Sequence, residues 1–504
     1  MKKILTAALT LLLLLVFALP VVGSSTPGGP FLPGKANHNT EGFMSNEQLE
    51  KALNQIEANS KGTMELDVIG HSGTGTEIFM AKVGNGSESI MIQNQQHGNE
   101  PHGAEAAINI LRFLTSERQE AKELREQITV YMLPRVNPDG AELGIRTNGD
   151  WRAPNHFTSH GFFTSSVPGW DINRYHWFDW EDSTLFQYNH AGIYSEEFGL
   201  INGRSLTGTP REYDGVEGYL VDVGFGTSEE YTDEVKEKVE GNIALVSRGQ
   251  NSFTNKAANA YEAGALGVVA YNDEPELSSF AISSDIPVMY TFQKFGEQLV
   301  EALEDGEDIY VDFQNSYPEN PVPEAQAVVD AYKKYEPKLM LDLHNQFSYV
   351  DEDERAVTSS ILWPTNPHVP DDALEMSKQM AVVVMDHMEQ YGYANVNKFP
   401  GGDAPEIARN AYGLAGSGNL LIEIRGQTQS EVGQTSNGML TRHAQEQVMS
   451  VIRAAADGSL YEADATRADT DLPTVRDRYR KDLPSEEEAE ESVPREYEEE
   501  EEVE

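Results

Sequence analysis

The chain has 504 residues, 37 Lys+Arg against 83 Asp+Glu, a formal net charge of −46, and no cysteine. The length exceeds one ordinary domain of roughly 100–200 residues. A surface this acidic repels nucleic-acid phosphate and anionic lipid, so neither is an expected partner, and the missing cysteine excludes disulfides, thiolate metal sites and a cysteine nucleophile. Residues 1–24 read as a signal peptide: Lys2 and Lys3, an apolar run from Ile4 to Leu19, then small residues after Pro20. The run is marginal for the ~20 apolar residues of a membrane span, so no stable anchor is expected and the chain is read as secreted. Residues 25–42 read as a linker rich in Gly, Pro, Asn and Thr.

From residue 43 the pattern is globular. Met44–Ala58 has Leu49, Leu53 and Ile56 at helical spacing, and Met64–Ile69 alternates like a strand ended by Gly70. Ser89–Gln93 reads as a buried strand, Pro101–Leu114 as a helix with proline in its first turn, and Gln127–Leu133 as a strand. The second half repeats this: helix Glu324–Tyr335, strand Leu339–Leu343, helix Asp371–Tyr391, strand Asn419–Ile424, helix Met439–Ala456. Strands separated by helices predict an α/β fold, a mixed, mostly parallel sheet with helices on both faces. Residues 189–314 differ in texture and hold their own strand, helix and strand (Asn242–Ser247, Phe253–Ala263, Gly267–Tyr271), as an inserted smaller domain of mixed α and β would. The main domain is then 43–188 plus 315–457, and 458–504 reads as a charged, disordered tail.

The charge is not a tail effect. Glu486–Glu504 carries −11 and the first 24 residues +2, which leaves −37 for the rest. A body-wide acidic excess suits a protein kept soluble in high salt, which screens its self-repulsion.

Strand Ser89–Gln93 runs into His97-Gly98-Asn99-Glu100. Imidazole and carboxylate three residues apart can meet one zinc ion at a strand-to-helix turn; alone, the pair is a weak signal, and a loop histidine beside a helix N-terminal acid is the commoner reading. His102 competes, inside the predicted helix. His344 sits at the carboxyl end of an apolar strand, where open α/β sheets bind ligands, although a satisfied strand-end histidine reads the same way. Two histidines and one glutamate would leave the fourth zinc position open. Glu423 lies within the apolar run Leu420–Ile424, costly unless it is paired, with Arg425 for example, or put to use.

Together with Asn137-Pro138-Asp139-Gly140, Trp151-Arg152 and Asp171-Ile172-Asn173-Arg174, these motifs fall in an order that resembles the zinc carboxypeptidases of the carboxypeptidase A type, over about residues 44–456 without the insertion. The resemblance implies that one Zn2+ per chain is bound by His97, Glu100 and His344, with Asp171 orienting His97. It implies that Asn173 and Arg174 hold the C-terminal carboxylate of a peptide or protein substrate. Glu423 would be the general base and Arg152 would polarise the scissile carbonyl. The insertion, through Gly241–Gly249, Ser252–Lys256 and Ala263–Ala265, resembles a protease-associated (PA) domain, of the kind thought to guide access to secreted peptidases.

The family's usual second arginine, three residues after Trp-Arg, is Asn155 here. Tyr412 is a poor candidate for the substrate-closing tyrosine, being only 11 residues before Glu423. Arg409 is read first as a surface arginine; lining the specificity pocket, it would favour acidic C-terminal residues. The expected function is a secreted zinc metallocarboxypeptidase. The alternatives are a zinc amidase or deacylase on another amide, and an inactive peptide-binding relative.

Overall fold

The computed structural model describes residues 43–150, 169–178, 190–196, 198–206, 208–210, 213–273, 281–314, 320–392, 394–426, 437–474 and 477–478. The signal and linker segments, Trp151-Arg152, Asn155 and the acidic tail lie outside them.

Helix α1 (Asn46–Asn59) opens on a capping box in which Ser45 and Gln48 exchange side-chain and backbone bonds. Strands β1 (Met64–His71), β2 (Glu77–Val83) and β3 (Glu88–Asn94) follow, then α2 (His102–Leu114), α3 (Gln119–Gln127), β4 (Ile128–Leu133) and α4 (Pro138–Leu143). The inserted region contributes β5 (His190–Ser195), β6 (Gly199–Ser205), β7 (Glu217–Asp222), α5 (Asp233–Val239), β8 (Ile243–Ser247), α6 (Phe253–Glu262), β9 (Gly267–Tyr271), β10 (Val288–Thr291), α7 (Gln293–Glu304) and β11 (Tyr310–Gln314). The chain continues through α8 (Pro323–Tyr335), β12 (Leu339–Gln346), β13 (Tyr349–Val350), β14 (Ala356–Val357), β15 (Ser359–Leu362), α9 (Asp371–Glu389), β16 (Val396–Lys398), α10 (Ala408–Leu414), β17 (Gly418–Arg425) and α11 (Asn437–Asp457).

Eight strands make one sheet in the order β1-β2-β4-β3-β12-β17-β15-β16. Its centre, β4-β3-β12-β17, is parallel, and antiparallel pairs lie to either side. Period-2 alternation assigns each strand residue to a face. Ile90, Ile92, Leu339 and Leu341 join the core under α1, α2, α9 and α11. Met91 and Met340, one residue over, join the core under α8 and α10. Each such fully buried aliphatic side chain stabilises the fold by about 1.5–3 kcal/mol. β1 continues through Gly70 to His71, with its register shifting between Val68 and Gly70. A Cβ at Gly70 would stand 2.6 Å from Ala327 Cβ of α8, so the glycine serves close helix–strand packing and does not end the strand.

Strands β5 to β11 close into a seven-stranded barrel around a separate apolar core. The sheet is therefore interrupted between β4 and β12 by a second body. No described helix is long and apolar enough to cross a membrane.

One boundary needs correcting. Residues 458–474 are not part of a disordered tail, because Leu460, Ala468 and Leu472 are buried in the main core. Three apolar side chains spaced among charges suffice to pin the segment, while its composition reads as polar.

Candidate metal centre and active site

The site is built where β3 and β12 end side by side. Gln95 leaves β3 with φ at 53°, in the left-handed region, and turns the chain sharply. Its side chain donates to the Gly98 carbonyl at 2.8 Å. A Cβ at Gly98 would lie 2.0 Å from the Gly140 carbonyl carbon, so only glycine lets the two backbones touch. Asn137 completes the clamp: its Oδ1 accepts from Gly140 N at 2.8 Å, and its Nδ2 donates to Gln96 O at 3.0 Å and to Arg146 O at 3.3 Å. The Asn-Pro-Asp-Gly motif thus fixes the His97 turn against the Arg146 segment.

His97, Glu100 and His344 are buried, with one ligand atom from each within 4.8 Å of the others. His97 Nδ1 lies 2.9 Å from Glu100 Oε1, His344 Nδ1 lies 2.8 Å from Glu100 Oε2, and the two Nδ1 atoms are 3.0 Å apart. Each ring's other nitrogen faces a carboxylate: His97 Nε2 to Asp171 Oδ1 and His344 Nε2 to Asp342 Oδ1, both at 3.0 Å. Carboxylates behind the imidazoles orient both Nδ1 lone pairs towards one point. Two nitrogens and a carboxylate so converged match the donor set of a zinc site that keeps a position open.

The charges are mutually arranged. Burial would raise Glu100, but His97 and His344 outweigh it and hold the carboxyl well below its usual range. Burial also opposes ionisation of Asp171, and Arg146, Arg174 and His97 overcome it. His344 is pulled the other way: burial lowers it, and Asp342 and Glu100 raise it well above an ordinary histidine.

Glu423 stands directly opposite His344 in the β12–β17 register, one strand away from the ligand cluster. Asn173 Nδ2 is 3.2 Å from His344 Nε2, and Asn173 Oδ1 accepts from Ala408 N at 2.9 Å. Arg174 follows in the same turn, its Nη1 donating to Asn173 O at 2.7 Å. The structure brings together seven of the eight candidate residues; the eighth, Arg152, lies outside the described residues.

Several candidates part from the sequence reading. His102 is not in the cluster; it is buried against Phe43, with Nε2 3.0 Å from Asn437 Oδ1. Tyr412 is fully buried, 2.7 Å from His176 Nδ1 and packed on Tyr332, so it closes over nothing. Arg409 is 2% exposed, not a surface arginine.

The sequence reading passed over four polar positions, three of which touch the candidate site residues. Arg146 donates through Nε and Nη2 to Asp171 Oδ2 at 3.1 and 3.0 Å, and its Nη1 is 3.6 Å from Glu100 Oε1. Its spacing after Asn-Pro-Asp-Gly was the available signal. Asp342 precedes His344 by two residues on one strand, so both share a face. Gln96 bridges Asp342 Oδ1 at 2.6 Å to His176 Nε2, extending the support to a second buried ring. Glu324, fully buried at the start of α8, accepts from Gly73 N at 3.0 Å and from Asn148 Nδ2 at 3.1 and 3.2 Å.

Residues 49–198 match the family model for zinc carboxypeptidase, and residues 216–299 the one for the PA domain. Among curated proteins, Zinc carboxypeptidase A 1 of Drosophila melanogaster is 32% identical over 139 residues, 26% of this chain and 31% of that protein. Minor extracellular protease Vpr of Bacillus subtilis is 33% identical over 120 residues, 23% of this chain and 14% of that protein. Aminopeptidase YwaD of Bacillus subtilis is 34% identical over 102 residues, 19% and 21%. The chain thus spans less than a third of the length of each of these relatives. Among solved structures, carboxypeptidase A from Helicoverpa armigera aligns over 90% of this chain and 81% of that one, at 14% identity and a TM-score of 0.44. Residues 49–198 are thus similar to the zinc carboxypeptidases and residues 216–299 to PA domains, and the sheet that the first stretch begins resumes beyond the barrel.

Proposed function

We propose that the chain is a secreted exopeptidase that uses one zinc ion to hydrolyse the C-terminal bond of peptides. The observation that carries this is the convergence of His97, Glu100 and His344 beside Glu423 and the Asn173-Arg174 pair. A bound zinc ion supplies a Lewis acid that lowers the pKa of water and polarises a carbonyl.

The other steps belong to the chain's own side chains. Arg174 and Asn173 hold the substrate's terminal carboxylate, an anion suited to a guanidinium fork, and so place the last peptide bond at the ligand cluster. Glu423 takes the proton of the attacking water and passes it to the leaving nitrogen. Arg146 keeps about a fifth of its side chain open and serves the oxyanion that develops on the carbonyl, the role the sequence offers to Arg152. Asp171 and Asp342 hold the two ligand rings in position. The PA barrel bears on access to the site, and the acidic surface suits activity in concentrated salt.

The test has two parts. Glu423→Gln should keep stoichiometric zinc and lose turnover; unchanged turnover would remove Glu423 from the mechanism. Sequencing of chain recovered from culture medium should find a mature start near residue 25, and an intact Met1 there would contradict the cleaved signal.

A further inference from the structure

The carboxylates behind the two ligand rings are themselves held in different ways. Asp171, behind His97, takes a guanidinium: Arg146 Nε and Nη2 donate to its Oδ2 at 3.1 and 3.0 Å. Asp342, behind His344, is fully buried and pairs with no arginine or lysine among the described residues. Its Oδ2 has no hydrogen-bond partner, while its Oδ1 meets His344 Nε2 at 3.0 Å and Gln96 Nε2 at 2.6 Å. Apart from the ring it has to orient, Gln96 is thus the one described side chain that holds this carboxylate.

The hydrogen positions along this contact follow from chemistry. A carboxylate only accepts, so Gln96 turns its NH2 group to Asp342 and its carbonyl the other way. That carbonyl meets His176 Nε2, which is therefore the N–H of the ring. Burial pushes the pKa of His176 down to about 4, so the ring is neutral and its Nδ1 keeps a lone pair. The Tyr412 hydroxyl, 2.7 Å from Nδ1, then donates to it. Three donors in series, Tyr412, His176 and Gln96, point towards Asp342, and His344 Nε2–H meets it from the other side. Gln96, His176 and Tyr412 are all fully buried. The His176 backbone N–H donates to Glu406 O at 3.1 Å, and Tyr412 packs on Phe178 and Tyr332, so neither ring is free to turn.

The series excludes a competing arrangement. Gln96 Nε2 also lies 3.5 Å from His344 Nε2, and Asn173 Nδ2 lies 3.2 Å from it. An amide N–H given to that nitrogen would select the opposite tautomer, with the proton on Nδ1. Nδ1 is the atom that faces Glu100 and His97, and once protonated it has no lone pair for a metal. Holding the Gln96 amide on Asp342 keeps the proton on Nε2.

We propose that His176 is a positioning residue of the metal centre: through Gln96 it fixes Asp342 on His344 Nε2–H and so aims the Nδ1 lone pair of the second histidine ligand at the ion, with Tyr412 setting the direction of the series. The inference rests on the zinc reading of the site and adds to it the residues that set one of its ligands.

His176→Phe keeps a ring of similar shape and removes both nitrogens; His176→Gln returns an N–H near the place of Nε2. On the full chain, competition with a chelating dye should show zinc held about tenfold more weakly in His176→Phe, and within about threefold of the parent in His176→Gln. The visible spectrum of the cobalt-loaded chain should shift in the first variant and match the parent in the second, which lost packing alone would not produce. Parent-like zinc affinity in His176→Phe, or an equal loss in both variants, would overturn the proposal. If His176→Phe does not fold, Tyr412→Phe decides, since it removes a single hydroxyl. Zinc weakened about two- to fivefold, the net worth of one hydrogen bond, supports the proposal, and an unchanged affinity and cobalt spectrum overturn it. A parent chain that takes up neither zinc nor cobalt would sink the zinc reading instead, and nitrogen NMR of the histidine-labelled, metal-free chain then decides. The signal lost in His176→Phe should report a neutral ring protonated on Nε2 at neutral pH; a ring protonated on Nδ1, or a charged one, would overturn the proposal.

Discussion

The sheet's carboxyl edge and the PA barrel bury charge in opposite ways. At the edge, His97, Glu100, Asp171, Asp342 and His344 are buried together, each facing another charged group. In the barrel, Lys256 is the one buried charged side chain among the described residues, and its Nζ donates to the carbonyls of Phe225 and Gly249. Both bodies have full apolar cores. The barrel buries a charge to tie its own backbone together; the edge stacks charges that hold one another's protonation states, as a reactive site does.

If that contrast is right, edge variants lose chemistry and the barrel variant loses stability. Removing a ligand has the largest effect: Glu100→Ala should abolish both zinc retention and turnover, read by metal analysis and peptide assay. Glu423→Gln follows, with kcat down about 100- to 10,000-fold and the zinc content unchanged. Asp171→Asn should weaken zinc about 10- to 100-fold in competition with a chelating dye, while thermal unfolding of the metal-free chain moves little.

Glu324 gives a pH signature. Burial pushes its carboxyl up to about 7 from 4.5, against its hydrogen bonds from Gly73 and Asn148. The folded chain then holds a proton that the unfolded chain releases, so this residue's contribution to stability falls as pH rises from about 4.5 through 7. Glu324→Gln should flatten that slope, gaining about 1–3 kcal/mol relative to the parent at pH 8. A parent and variant with parallel Tm profiles from pH 5 to 8 would remove the effect. The smallest expected effect lies in the barrel: Lys256→Met leaves two carbonyls without a donor and should cost about 1–3 kcal/mol of stability, with zinc affinity unchanged. A drop in zinc affinity there would break the contrast.

Much of this was legible in the residues because it is local. Short apolar runs located β3, β12 and β17, and His97, Glu100, His344 and Glu423 stand at or near their ends, where a parallel sheet opens. What stayed hidden depends on distant contacts. Arg146 reads as a loop cation until Asp171 is placed 3.0 Å away. Asp342, inside the predicted strand Leu339–Leu343, drew no role until the structure placed its carboxylate 3.0 Å from His344 Nε2. Arg409 reads as a surface arginine and Tyr412 as a weak candidate for a substrate-closing tyrosine, and both are buried because α10, which the sequence reading did not predict, packs on β17. β2 escaped because Glu77 to Val83 mixes polar and apolar residues without strict alternation.

The most direct measurement pairs a peptide bearing a free C-terminus with its amidated twin, each with and without chelator. The account predicts release of the terminal residue from the free acid alone, lost on chelation and restored by added zinc. Equal cleavage of the amide, or cleavage of the free acid that survives complete removal of metal, would contradict it.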